Sequence, residues 1–168
     1  MTTTIEARTT MTQVYRVYIR ATPEAIWSAI TQPEWTEKYG YGGRVEYELR
    51  PGGKYRHKAP AAMLEMGAPE VMLDGEVIEA DPPRKLVQTW RPLWDPDLVS
   101  EGAKRLTWEI TDAGDGVCAL TVIHELEGAP KTALQVAGNG EGAAGGGGWS
   151  WMLSDLKTYL ETGKAMAQ

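Results

Sequence analysis

Between Arg44 and Glu125 the apolar residues repeat with a period of two, and this pattern constrains the fold more than any other feature. Short alternating segments are separated by turn sequences such as Pro51-Gly52-Gly53 and Asp81-Pro82-Pro83. A period of two is that of a strand with one buried face, and turns at close spacing are typical of antiparallel hairpins. The pattern predicts six strands, over residues 44–49, 54–58, 71–80, 85–91, 103–111 and 117–125.

Another strand and two short helices are predicted before this region. Residues 13–19 are rich in β-branched and aromatic side chains, which favours a strand. Thr22 then stands as an N-cap before Pro23, and the apolar spacing that follows predicts a helix over 23–31. Residues 32–35 are predicted to form a second short helical turn.

The C-terminal region has helical periodicity instead. Trp149, Leu153, Leu156 and Leu160 recur at a spacing that predicts one amphipathic helix over 149–161, with Gly163 as its stop. The glycine-rich stretch Gly138–Gly148 before it predicts a flexible gate or a linker, since each glycine weakens a helix by about 1 kcal/mol.

The resulting element order predicts the α+β class, with a curved antiparallel sheet and one long C-terminal helix. We expect a flexible lead over residues 1–12, a single domain over 13–163 and a tail over 164–168. Residues 59–69 and 92–102 are predicted to be loops. Because the paired short helices close one end, the sheet and the long helix are expected to leave a cavity between them.

Composition excludes several classes of function. The net charge of -6 disfavours nucleic acid as a partner, and no apolar run approaches the ~20 residues of a membrane helix. Two histidines and one cysteine, far apart in sequence, disfavour a metal site, and no motif indicates a cofactor. A single cysteine, Cys118, and the lack of an apolar leader over residues 1–8 favour a cytoplasmic location.

Strand alternation predicts which side chains face the cavity. Leu106 and Trp108 share one face of their strand, as do Val122 and His124 on the next strand. Trp94 and two methionines in loops are expected to complete a soft aromatic wall, although such residues equally well fill a core. The candidate ligand-binding residues are Tyr47, Tyr55, His57, Met63, Met66, Gln88, Trp90, Trp94, Leu106, Trp108, Val122, Trp149, Met152 and Leu153.

His124 and Glu76 are the candidates for acid–base chemistry. On an inward face His124 could act as a neutral base or a ligand donor, or it could be a core histidine bonded to the backbone. Glu76 could point into the cavity as a single general base, while Glu79 lies on the opposite face of the same strand. His57 either lines the far end of the cavity or lies in solvent, depending on the strand register.

Four stretches of the chain resemble a known family. The resemblance is to the START-like (SRPBCC) superfamily. It lies in residues 17–31, 73–90, 120–124 and 148–157, and the last of these contains Gly148-Trp149-Ser150-Trp151. The most similar branch is named after the C-terminal domain of the activator of the heat-shock protein 90 ATPase. This resemblance implies the helix-grip fold over nearly the whole chain, and functions that range from lipid and hormone binding to polyketide cyclisation and co-chaperone activity.

The sequence therefore leaves three functions open. The first is binding of a small, largely apolar or aromatic molecule in the cavity. The second is an enzyme (a cyclase, dehydratase or hydrolase) that uses His124 or Glu76 as general acid or base. The third is protein binding of the co-chaperone kind, which follows from the family name alone. A homodimer is also open as an expectation.

Overall fold

Seven antiparallel strands form one curved, open sheet in the computed structural model, which describes residues 11–138 and 146–166. The order across the sheet is β1-β7-β6-β5-β4-β3-β2, so every neighbouring pair except β1–β7 is also consecutive in sequence. The strands are β1 (Thr12–Ile19), β2 (Arg44–Tyr47), β3 (Lys54–Lys58), β4 (Val71–Asp81), β5 (Lys85–Pro92), β6 (Lys104–Gly114) and β7 (Val117–Glu125).

Six helices accompany the sheet within the described residues. They are α1 (Pro23–Thr31), α2 (Pro33–Thr36), α3 (Ala61–Glu65), α4 (Pro96–Glu101), α5 (Pro130–Ala137) and α6 (Gly148–Thr162). The Thr22 hydroxyl accepts a hydrogen bond from the Ala25 amide at 3.1 Å, so it caps α1 as predicted. Gly163, in the left-handed conformation at φ +80°, ends α6. The α+β class and the helix-grip architecture are thus confirmed.

The expected loops contain short helices. Residues 59–69 include α3, and residues 92–102 include α4, so both loop predictions are wrong in part. Helix α4 has the start signals of a longer helix, because the Asp95 side chain accepts from the Asp97 amide at 2.8 Å and Pro96 occupies the first turn. Strand β2 ends at Tyr47, two residues before the predicted end at Leu49.

Helix α5 was not predicted, and it is held in place by a carboxylate from α4. Glu101 accepts hydrogen bonds from the amides of Lys131 and Thr132 at 2.9 and 2.7 Å, and from the Thr132 hydroxyl at 2.7 Å. Burial opposes ionisation of Glu101, but these donors outweigh it and lower its pKa. The carboxylate therefore satisfies the first turn of α5, which has no side-chain cap of its own.

Helix α6 lies across the inner face of the sheet. Trp149, Leu153 and Leu156 are buried on one side of the helix, at the spacing of successive turns. The inward residues of the central strands are also buried, as the alternation predicted: Leu86, Gln88, Trp90, Leu106, Trp108, Ile110, Cys118, Leu120, Val122 and His124. The core thus lies between α6 and strands β5, β6 and β7.

The two ends of the glycine-rich stretch lie against each other. A side chain at Gly148 would overlap the backbone of Val136 and Gly138, and Gly148 has φ +65°, so glycine is needed at this close approach. The predicted gate or linker falls mostly on residues 139–145, which lie outside the described residues. Residues 1–10 and 167–168, in the expected lead and tail, also lie outside them.

Candidate functional site

A pocket of about 390 Å³ lies between the sheet, the start of α6 and the segment that joins α2 to β2. Strands β2 and β3, helix α3 and the end of α5 contribute further walls. Among the described residues that line it, Lys58 alone carries a formal charge. The lining residues are Ile30, Thr36, Tyr39, Gly40, Tyr41, Gly42, Gly43, Val45, Tyr47, Tyr55, His57, Lys58, Pro60, Met63, Met72, Leu73, Trp90, Trp94, Trp108, Gln135, Val136, Gly146, Gly148, Trp149 and Met152.

Three tryptophans pack together on one wall of the pocket. The ring of Trp149 lies edge-on to Trp108, with centroids 5.4 Å apart, and tilted against Trp90 at 5.9 Å. Such offset and edge-to-face pairs are the favoured aromatic geometries. Since Trp90 and Trp108 come from neighbouring strands and Trp149 from α6, the cluster joins the helix to the sheet.

His124 lies behind this wall, where it is completely buried. Its Nδ1 accepts a hydrogen bond from Nε1 of Trp149 at 3.1 Å, and its ring lies edge-on to Trp90 at 5.0 Å. Because Nδ1 is an acceptor, the proton of the neutral ring is on Nε2. Neither Nε2 of His124 nor Nε1 of Trp108 has a hydrogen-bond partner among the described residues. Burial lowers the pKa of His124 to about 3, so it is uncharged near neutral pH.

Two stacked tyrosines form another part of the pocket lining. The rings of Tyr47 and Tyr55 stack at 4.7 Å, as expected for residues paired across β2 and β3. The Tyr47 hydroxyl donates to Oε1 of Gln88 at 2.5 Å. Burial, reinforced by neighbouring phenols, raises the pKa of Tyr47 and Tyr55 far above the ordinary value, so both are neutral.

His57 lies on the same face of β3, half-buried at the pocket wall. A side chain on Gly43 would overlap its imidazole, so the glycine provides the space that the ring occupies. Burial lowers the pKa of His57 to about 4. Of the two positions that the sequence left open for His57, the structure has the one at the pocket wall.

A buried carboxylate on α6 fastens the segment that joins α2 to β2. Asp155 Oδ2 accepts from the Gly40 amide at 2.6 Å, and Oδ1 accepts from the Met166 amide at 2.6 Å. Nearby, Tyr41 stacks on Trp151 of α6 with centroids 5.1 Å apart. Residues 39–43 of the pocket wall are therefore held by α6 through one carboxylate that accepts a hydrogen bond and one ring pair.

The candidate residues fall into three groups. Nine line the pocket: Tyr47, Tyr55, His57, Met63, Trp90, Trp94, Trp108, Trp149 and Met152. Gln88, Leu106, Val122, Leu153 and His124 are buried in the core beside it.

Two candidates lie elsewhere. Met66 is 86% exposed, just after α3, and Glu76 is exposed on the outer face of β4 because the buried residue of that strand is Val77. The expectations that Met66 lines the cavity and that Glu76 points into it are therefore wrong.

Sequence reasoning missed the wall formed by residues 36–45. Thr36, Tyr39, Tyr41, Gly43 and Val45 all contribute to the pocket, although the first four precede the region of clear alternation. The alternation of tyrosine and glycine over residues 39–43 was the available signal, since glycines next to aromatic rings allow close approach.

Two further observations bear on the class of site. Within residues 11–138 and 146–166, no three His, Cys, Asp or Glu side chains come together in a way that could hold a metal ion. Among the described helices, none has the length and the apolar composition of a membrane-spanning segment.

A curved antiparallel sheet that wraps one long C-terminal helix, with a pocket between them, defines a START-like protein. Within that superfamily, residues 20–161 match the family model of activator of Hsp90 ATPase homolog 1-like proteins. The chain therefore belongs to this family, as the sequence motifs indicated. No protein with curated annotation matches the chain.

Solved structures share the fold at low sequence identity. SSP2350 from Staphylococcus saprophyticus has a TM-score of 0.65 at 18% identity, over 94% of this chain and 98% of its own. DynU16, described as a putative protein in the dynemicin biosynthetic locus, has a TM-score of 0.66 at 22% identity, over 94% of this chain and 49% of its own. The Aha1 dimer from Colwellia psychrerythraea has a TM-score of 0.60 at 14% identity, over 92% and 99%. At these identities the likeness concerns the fold alone.

Proposed function

We propose that this protein binds a small, largely apolar molecule in the pocket between the sheet and α6. The observation that carries the proposal is the aromatic and aliphatic lining of a space of about 390 Å³. Small-molecule sites typically enclose roughly 300–1,000 Å³ with mainly apolar walls and a few polar groups. The pocket agrees with that description in both size and chemistry.

Packing gives a second reason. Protein interiors are close-packed, and voids larger than a water molecule are few. A space of this size beside a core of buried tryptophans forfeits dispersion contacts that bulkier side chains would supply. A bound molecule would restore those contacts and remove the apolar walls from water, at about 25 cal/mol for each Å² covered.

The family supports the proposal in general terms. START-like proteins are known for ligand binding, and DynU16 is described as a putative protein in the dynemicin biosynthetic locus.

Catalysis by the two candidate residues has less support. Glu76 is exposed on the outer face of β4, away from the pocket. His124 is enclosed behind Trp149, whose indole N–H bonds to Nδ1, the basic nitrogen of the neutral imidazole. Burial keeps the pKa of His124 near 3. A general base must reach the proton that it abstracts, and neither residue does so in this arrangement.

Protein binding and homodimer formation stay predictions. The Aha1 structure from Colwellia psychrerythraea is a dimer, which makes self-association a reasonable expectation for a relative. A cytoplasmic location is likewise still an expectation from the sequence.

Native mass spectrometry tests the proposal. The protein is mixed with the neutral apolar dye N-phenyl-1-naphthylamine, and its mass is recorded before and after denaturation. We expect one dye per chain, lost on denaturation. A bare chain, or a ladder of adducts that grows without saturation, would contradict the proposal. The same spectrum of the freshly purified protein gives the mass of any co-purifying ligand.

A further inference from the structure

Three of the hydroxyl groups that border the pocket are turned towards the protein. The Tyr39 hydroxyl donates to the Ala29 carbonyl at 2.7 Å, and that of Tyr47 donates to Gln88 at 2.5 Å. Thr36 Oγ1 accepts from the Val45 amide at 3.2 Å and donates to the Pro33 carbonyl. These residues therefore present mainly ring faces and methyl groups to a guest.

His57 differs from them. Its imidazole makes no hydrogen bond with any described residue, and burial alone accounts for the change in its pKa. Gly43 leaves room for the ring at the pocket wall, where it is half-buried. A neutral imidazole carries one donor and one acceptor, and both need partners when a guest displaces water from them.

The described part of the pocket lining offers no available opposite charge to pair with a charged group of a guest. The Lys58 ammonium lies 3.2 Å from Glu46 and 3.9 Å from Glu70, so its charge is already balanced. No carboxylate is among the described residues that line the space. Burying an unpaired charge costs far more than burying a paired hydroxyl, which disfavours carboxylate and ammonium guests.

We propose that His57 determines the specificity of the pocket, and that its ligands are aromatic molecules with an uncharged hydroxyl group that bonds to His57. A hydroxyl both donates and accepts, so it matches the imidazole in either tautomer. The ring faces of Tyr47, Tyr55 and Trp90 would stack against the aromatic part. This inference rests on the proposed function, because it names the class of ligand for the same pocket.

The test compares four naphthalenes of nearly equal size: naphthalene, 2-naphthol, 2-methoxynaphthalene and 2-naphthoate. Dissociation constants are measured by calorimetry or tryptophan quenching at pH 7 for the wild type. A net hydrogen bond between neutral groups corresponds to about a tenfold preference. We expect 2-naphthol to bind about tenfold more tightly than naphthalene, with 2-methoxynaphthalene between them and 2-naphthoate weakest.

Variants then assign the preference to one side chain. His57→Phe should retain naphthalene binding and lose the preference for 2-naphthol. Tyr18→Phe is the control for loss of a hydroxyl, since Tyr18 is 56% exposed on β1, outside the pocket lining, and the change should leave the preference intact. His57→Gln, which keeps a donor group and an acceptor group, should retain part of the preference and serves if the Phe variant does not fold.

The outcomes separate the two proposals. If the wild type binds all the neutral naphthalenes equally, or if the preference persists in folded His57→Phe or is lost in Tyr18→Phe, the role of His57 is refuted while the pocket stands. If 2-naphthoate binds best, the ligand class is wrong. If naphthalene and 2-naphthol both fail to bind, the proposed function fails, and this inference fails with it.

Discussion

Trp149 Nε1 donates a hydrogen bond to His124 Nδ1 at 3.1 Å, and this bond joins the first turn of α6 to the end of β7. The two residues are 25 positions apart in sequence, and both are buried. The bond fixes which nitrogen of His124 carries the proton and orients the indole that forms the pocket wall. It thus couples the position of α6 to the shape of the site.

The contribution of this bond can be measured by truncating two tryptophans. Trp149→Phe leaves Nδ1 of His124 unpaired in the core, which should lower the free energy of unfolding by about 1–3 kcal/mol in addition to the loss of packing. Trp108→Phe is the matched control, because Trp108 is equally buried and its Nε1 has no partner among the described residues. Urea unfolding of both variants should show Trp149→Phe as the less stable. A larger loss in Trp108→Phe would refute the importance of the bond.

Stability should depend on pH through His124. In the unfolded chain a histidine takes up a proton near pH 6.5, whereas in the folded chain His124 stays neutral down to about pH 3. Between these values the unfolded state binds one more proton, so this residue makes the protein less stable as pH falls, by about 1.4 kcal/mol per pH unit. Denaturant unfolding between pH 6 and pH 4.5 should show a shallower pH dependence in His124→Gln than in the wild type. Equal slopes would mean that His124 is protonated in the folded protein.

Asp155 should hold the pocket wall to α6. In Asp155→Asn the side chain has only one accepting oxygen for the amides of Gly40 and Met166, and its NH2 group faces one of these donors. We expect a loss of about 2–4 kcal/mol in unfolding free energy and faster hydrogen exchange over residues 39–43. Asp97→Asn, at a carboxylate whose side chain is 66% exposed, is the control and should change neither. Unchanged exchange in Asp155→Asn would show that other contacts hold this segment.

The sequence allowed the fold to be predicted because the strands and helices α1 and α6 each carry their own local signal. Alternation gave β7 with the correct ends, and the Thr22-Pro23 cap gave α1. The contact between Trp149 and His124 could not be predicted in the same way, since it depends on how α6 is placed across the sheet. Alternation gave the inward face of β7 but not the neighbour of any one side chain.

The errors have similar physical causes. In β4 the inward residue is Val77, and a bulge between Val77 and Glu79 disturbs the simple alternation, so the side of Glu76 could not be read from periodicity. Met66 follows the single helical turn α3. The direction of this turn depends on tertiary contacts, so the sequence could not show that the Met66 side chain lies outside the pocket. Helix α5 lacks a local cap and takes one from Glu101, which is distant in sequence, so its start was not recognised.

The central claim, that the pocket binds an apolar molecule, is tested most directly by blocking it at one of two nearby methionines. Met63 lines the pocket, whereas Met66, three residues further on, is 86% exposed. We would titrate N-phenyl-1-naphthylamine into wild type, Met63→Trp and Met66→Trp and follow the fluorescence of the dye. Binding at least about tenfold weaker in Met63→Trp, with Met66→Trp unchanged, is the predicted result. Equal affinity in all three folded proteins would contradict the account, because the dye would then bind outside the pocket.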